Sequence, residues 1–380
     1  VVDSESPQVE IISPKSDEFI GTCSYVEIYA TDDAGISRIE FYDNDSLVKM
    51  LAGDYAFYWE RKPDGELHRL KAIVYDIAGN EASDEVLVKS LPWVEGSLPL
   101  RGEPHAIKVK DCYAYVASGT AGLRIIDVSD KSNPREKGAY TKVYCALGLD
   151  VVDTLVYLAD CDSGLIIINV SDKAKPKKVA MCTLSAFNVK IRDCYAYVAC
   201  GYAGLCIVNI ARPDSPFVVS SISVNGLVWN VYVDKCFAYL ASNEAGLKII
   251  DISSPDNPTL YGSIIPPGLT FDCVVDGYIV YLACNDKGFY IIDVCDKSSP
   301  ELLGHVDTPG KARGLIKYDD IVYLVAYEAG LRIIDVDDPC NPQEIGYCLE
   351  KDPVVSIALE CEYGYIASET HGIIIVRLIK

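Results

Sequence analysis

Apolar residues fall in short runs along the whole chain, four to six positions long, broken by Gly, Asn, Asp or Pro. The stretch AIKVKDCYAYVASGTAGLRIIDVSDKSNPREKG, residues 106–138, shows the pattern. It predicts a short alternating strand through Ile107 and Val109, a turn at Lys110-Asp111, and a second strand from Tyr113 to Ala117. A turn ending at Gly122 leads into LRIIDV, and a polar Ser-Asp-Lys-Ser-Asn-Pro segment precedes a weaker fourth strand. Runs rich in Val, Ile and Tyr suit a pleated, buried surface, and no stretch sustains a helical period.

The pattern repeats. Tyr115, Tyr157, Tyr197, Tyr239, Tyr281, Tyr323 and Tyr365 recur at 40 to 42 residues. Each is followed seven residues later by a glycine: Gly122, Gly164, Gly204, Gly246, Gly288, Gly330 and Gly372. Six prolines follow in register (Pro134, Pro176, Pro216, Pro258, Pro300, Pro342), and Pro92 stands where the seventh would be if the last unit were completed from before the first. The glycines are expected to supply a positive φ or a close backbone approach. Asp127, Asn169, Asn209, Asp251, Asp293 and Asp335 are placed to cap the turn after the third strand. Four strands per repeat predict propeller blades. The fold class expected is all-β: an N-terminal Ig-like β-sandwich over residues 1–90, then a seven-bladed β-propeller over 91–380. A closing outer strand at about 93–100 is expected to complete the last blade and remove the free edge.

GLRIIDV, GLIIINV, GLKIIDI and GFYIIDV, each after a Tyr-x-Ala strand, resemble LVIVD repeats, a propeller family frequent in prokaryotic surface proteins. That resemblance covers about residues 91–380 and implies a β-propeller without a defined reaction. Upstream, ATDDAG, IEFYDND, the Tyr-x-Phe-x-Trp of Tyr55 to Trp59 and YDIAGN resemble bacterial Ig-like domains of extracellular proteins. Such domains are commonly spacers or stalks.

Charge narrows the partners. The chain carries a net charge of −21, with 19 acidic against 8 basic residues in 1–90. Nucleic acid and anionic membrane want basic patches, so neither is expected, and no segment is apolar enough to span a bilayer. Val1 in place of Met points to a processed chain, and Asn-x-Ser sequons at Asn44 and Asn169 are candidate glycosylation sites of an exported protein. Fifteen cysteines are many for a reducing compartment. They serve either as small core residues or as disulfides formed on export. Cys23, alone in the first domain, has no partner there.

Ten residues before each repeat tyrosine lie His105, Leu147, Phe187, Trp229, Phe271, Arg313 and Val355, at one face of the expected propeller. The next position is Asp272 in one blade, and Glu244, Asp286 and Glu328 come from a second loop on the same face. These residues form a candidate face for a partner: aromatic platforms for a surface protein or glycan, with an acidic rim. The competing reading has the aromatics wedged between blades and the acids as solvated turn residues. No cofactor is expected, although Asp32-Asp33 or the acidic loops offer a possible calcium site. Nucleophile elbows, phosphate loops and His-Glu-x-x-His are absent. The expected role is a non-enzymatic extracellular or cell-surface adhesion or interaction protein, with neighbouring copies as further possible partners in a surface layer or filament. The alternative is a propeller hydrolase or lyase acting on an extracellular polysaccharide or peptide, with Asp272, Asp286 and Glu244 as its acids.

Overall fold

The computed structural model describes residues 4–378 except 17, 21–22, 54 and 62–63, and leaves out the side chains of 19, 23 and 60. The chain divides into two compact units, one built on the segment ending at Trp93, the other on Val94–Glu344 and Leu349–Val376. Val1 and the side chain of Cys23 lie outside the described residues.

The first unit is a β-sandwich. One sheet joins Gln8–Ser13, Cys23–Thr31 and Ala56–Glu60. The other has five strands, with Leu67–Asp76 and Glu81–Ser90 paired over nine residues at its centre. Alternation places Ile39, Phe41, Leu70, Ala72 and Val74 inward, where they meet Val26, Ile28 and Trp59 from the facing sheet. Asp32, offered above as a calcium ligand, accepts hydrogen bonds from Ala34 N (2.9 Å) and Gly35 N (3.2 Å) in its own turn. Among the described residues no group of three or more His, Cys, Asp or Glu is placed to hold a metal ion. No helix among them is long and apolar enough to cross a membrane.

The second unit contains seven four-stranded antiparallel sheets. The first comprises Ala106–Lys110, Tyr113–Ala117, Leu123–Asp127 and Arg135–Tyr140. The next five follow in sequence order over 146–182, 188–222, 230–264, 272–306 and 314–348. The last takes Val354–Glu360, Tyr363–Ser368 and Gly372–Arg377 from the end of the chain and Trp93–Leu98 from before the first sheet. Consecutive sheets share cores: Tyr115 and Ile125 of the first pack with Val156 and Ile166 of the second. The opposite face of the first sheet, Val116 and Ile126, packs with Tyr365 and Ile373 of the last. Inner strands are therefore buried on both faces, which is why LRIIDV and GLIIINV run apolar instead of alternating.

The repeated residues hold this arrangement. All seven glycines from Gly122 to Gly372 have positive φ, between 71° and 105°. At Gly122 a Cβ would also strike the carbonyl oxygen of Tyr140 on the outer strand, so only glycine fits on both counts. Asp127 caps its turn by accepting from Ser129 N at 3.1 Å, and Asn169, Asn209, Asp251, Asp293 and Asp335 do the same two residues on. Asn169 is a sequon asparagine as well, and its Oδ1 is engaged in this cap. The other, Asn44, sits in a hairpin turn at φ 45° with its Oδ1 accepting from Arg69 N.

A second glycine series joins one sheet to the next. A Cβ on Gly138 would meet the carbonyl of Lys173 in the following sheet's turn, and Gly262 meets Lys297 in the same way. Gly96, on the strand from before the first sheet, meets Lys131 of that first sheet. The turn lysines lie over aromatic rings across the same joints: Lys173 over Tyr113 at 5.3 Å, and Lys131 over Tyr365 at 5.3 Å.

Among the described residues no cysteine pair stands at disulfide-bonding distance. Cys112, Cys194 and Cys236 hold one equivalent position in three different sheets, so the repeat spacing keeps them apart. Cys182, Cys200 and Cys206 are buried together in one core, where they pack as small apolar side chains.

Candidate functional site

The first strands of the seven sheets line one cavity, and the residues just before them surround another of about 340 Å³ at its mouth. Phe187, Trp229, Phe271, Arg313 and His105 all line it, with Leu147, Val355 and Glu369. Trp229 and Phe271 stack with ring centres 5.5 Å apart and planes at 27°. Phe187 meets Trp229 edge-on at 5.3 Å, and the Arg313 guanidinium covers Phe271 at 5.9 Å and Tyr327 at 4.2 Å. The aromatic residues thus form an arc in which Trp229 and Phe271 spend a face on each other. Flat platforms for a sugar ring are correspondingly few.

Asp272 lies deeper, where the mouth cavity adjoins a second one of about 300 Å³ lined by Lys108, Lys190 and Lys317. Its carboxylate accepts from Asn230 Nδ2 (2.5 Å), Cys273 N (2.8 Å) and Leu315 N (3.0 Å). Enclosure by protein pushes its pKa up to about 7, and the backbone donors and the Lys108 charge offset this only in part. His105 is shifted down by burial, against the pull of Glu103 and Glu369, which favours neutral imidazole at the mouth. Glu369 accepts from the Tyr327 hydroxyl at 2.8 Å. Two donors at the mouth are buried without any hydrogen-bond partner: Trp229 Nε1 and Arg313 Nε.

A family model for the LVIVD repeat matches residues 101–142, 146–183, 185–224, 225–265, 267–308 and 309–350, more than half of the chain. The chain belongs to the LVIVD-repeat family. A bacterial Ig domain model matches residues 7–72. A search among curated proteins finds no match. Solved structures similar to the chain include the computationally designed Ika8 protein, 10% identical, covering 92% of this chain and 97% of its own, with a TM-score of 0.55. The WD40 β-propeller domain of Doa1 is 10% identical, covering 74% of this chain and 95% of its own, with a TM-score of 0.59. At that identity the likeness speaks to fold alone, and the fold is propeller-like.

Within the LVIVD repeats the structure separates the residues singled out from sequence. Phe187, Trp229, Phe271, Arg313, His105 and Asp272 converge on the cavity. Glu244, Asp286 and Glu328 are exposed turn residues outside its lining, and Glu328 faces Lys311 at 3.9 Å. An acid trio of Asp272, Asp286 and Glu244 is therefore not assembled.

Sequence reasoning missed Tyr327. Its place in four other repeats is held by Gly119, Gly201, Asn243 and Asn285, all with φ between 43° and 58° and each bridged to the next sheet, and in the remaining two by Cys161 and Glu369. Tyr327 keeps that conformation at φ 46°, costly for a bulky side chain, and uses it to lie under Arg313 and hold Glu369. A tyrosine where the repeat wants Gly or Asn was the available signal.

Proposed function

We propose that this LVIVD-repeat protein is a non-enzymatic interaction scaffold whose seven sheets close into a seven-bladed propeller and whose channel mouth recognises a partner. The observation that carries the reading is the concentration of repeat-breaking residues at one place. Trp229, Phe271 and Arg313 sit in three sequential repeats around one cavity, the strained Tyr327 lies under Arg313, and Trp229 and Arg313 each bury a donor without a partner. Strain and unmet hydrogen bonds are costs that a fold retains where a ligand offsets them. Closure is supported by the shared core of the first and last sheets and by Gly96 against Lys131. A binding role is favoured over hydrolysis because Asp272 has both oxygens engaged and no second acid beside it as a catalytic partner.

An extracellular or cell-surface location, with adhesion or assembly into a surface layer as the biological role, is supported by the bacterial Ig domain ahead of the repeats. Crosslinking of the purified protein to the surface fraction of its source tests the reading. Trp229→Ala/Phe271→Ala should lose the partner crosslinked by the wild type while keeping its circular dichroism spectrum. The same partner captured equally by the folded double variant would contradict it.

A further inference from the structure

We propose that the mouth cavity receives a carboxylate presented by a partner polypeptide, seated on Arg313 and Trp229. This rests on the recognition face proposed above and names its chemistry. The unmet hydrogen-bonding groups at the mouth are donors. Trp229 Nε1–H and Arg313 Nε–H are buried with no acceptor. Asn188 accepts from Val189 N at 2.6 Å through its oxygen, and its amide nitrogen donates to nothing among the described residues. The acceptors nearby are already occupied: Glu369 by the Tyr327 hydroxyl, and Asp272 by three donors. Arg313, the cationic side chain on the cavity lining, is complemented by a ligand that brings acceptors.

Arg313 makes the case for an anion. Its guanidinium forms no ion pair among the described residues and lies over the rings of Tyr327 at 4.2 Å and Phe271 at 5.9 Å, which position it without neutralising it. A planar guanidinium so oriented matches the two oxygens of a carboxylate. The Tyr327–Glu369 bond keeps the closest competing carboxylate directed at the phenol. A volume of about 340 Å³ admits a side chain or a chain end, not a folded surface.

Titration of the full chain with matched peptides provides the test, read on the indole N–H resonance of Trp229, which Trp229→Phe identifies. Acetyl-glutamate amide is compared with acetyl-glutamine amide for a side-chain carboxylate. Acetyl-leucine is compared with acetyl-leucine amide for a chain terminus, and acetate serves as a free small acid. At least one acid should bind about tenfold more tightly than its amide and shift that resonance, and the pair that does so names the source. Arg313→Met should abolish the preference, Arg313→Lys retain part of it, and Glu369→Gln, by removing a like charge, tighten acid binding about threefold. Equal binding of acid and amide, an unchanged preference in folded Arg313→Met, acetate binding as tightly as the peptides, or no binding by any peptide would overturn the proposal. Partner capture that survives Arg313→Met but not Trp229→Ala/Phe271→Ala would reject the carboxylate and leave the recognition face standing. Capture surviving both would reject the face itself.

Discussion

His68 shows how one residue ties stability to pH in the first unit. Its Nδ1 lies 2.7 Å from Asp43 and its Nε2 3.0 Å from Asp64, while the side chain is almost fully enclosed. Burial works against the imidazolium, and the bonds to Asp43 and Asp64 outweigh it, pushing the pKa up to about 9. The folded state therefore holds the proton more tightly than the unfolded chain. That contribution is fully present below pH about 6.5 and is lost as pH rises through about 9. His68→Gln should destabilise the sandwich by roughly 1–2 kcal/mol at pH 6 after allowance for solvent screening, seen as a lower melting temperature, and by much less at pH 10. A gap that stays constant with pH would show that the charge is not what holds the network. Nothing in the sequence points to this cluster, because Asp43, Asp64 and His68 meet only once the strands pair. Arg313 and Trp229 differ: their shared offset from the repeat tyrosine is enough to assign them to one mouth. Their stacking, and the orphaned N–H groups it leaves, are beyond such reasoning, since repeat spacing fixes backbone position and not ring orientation.

At the scale of elements, strand order and turns were legible because each repeat states them again. Tyr115 to Gly122 to Pro134 marks second strand, turn and outer strand, and a pattern repeated along the chain averages out local ambiguity. The joints between sheets were less legible. Pro-x-x-x-Gly was visible at Pro92 and Pro134, but a glycine in a strand reads equally as a bulge or as a close contact. The structure shows both: the register shifts by one residue beside Gly138, and a Cβ there would meet Lys173, as one on Gly96 would meet Lys131. Gly96→Ala should accordingly cost about 1–3 kcal/mol, the range for overpacking a tight site, seen as a lower melting temperature of the repeat unit. Gly277→Ala is the comparison, since a Cβ there meets nothing within 4 Å and only its φ of 60° is strained. A Gly96→Ala variant as stable as Gly277→Ala would remove the case for tight packing at that joint.

For the whole molecule, sevenfold repetition supplies a frame and departures from it supply a site. The frame needs Tyr, Gly and Asp or Asn at fixed places, and those residues are accounted for by burial, backbone conformation and turn capping. Function is left to positions that the frame does not constrain, which is why fold was plain from sequence while the identity of a partner was not. The acidic loops illustrate the limit. Glu244, Asp286 and Glu328 share a loop position with one another and are exposed outside the cavity lining, while the position just before it in the same loop supplies Glu369 to that lining. The most direct measurement is a structure of the protein isolated with its partner from its own source, determined by electron cryomicroscopy. The account predicts partner density entering the cavity, with an acceptor within hydrogen-bond reach of Trp229 Nε1 and of the Arg313 guanidinium. A partner bound elsewhere, with the mouth open to solvent, would contradict it.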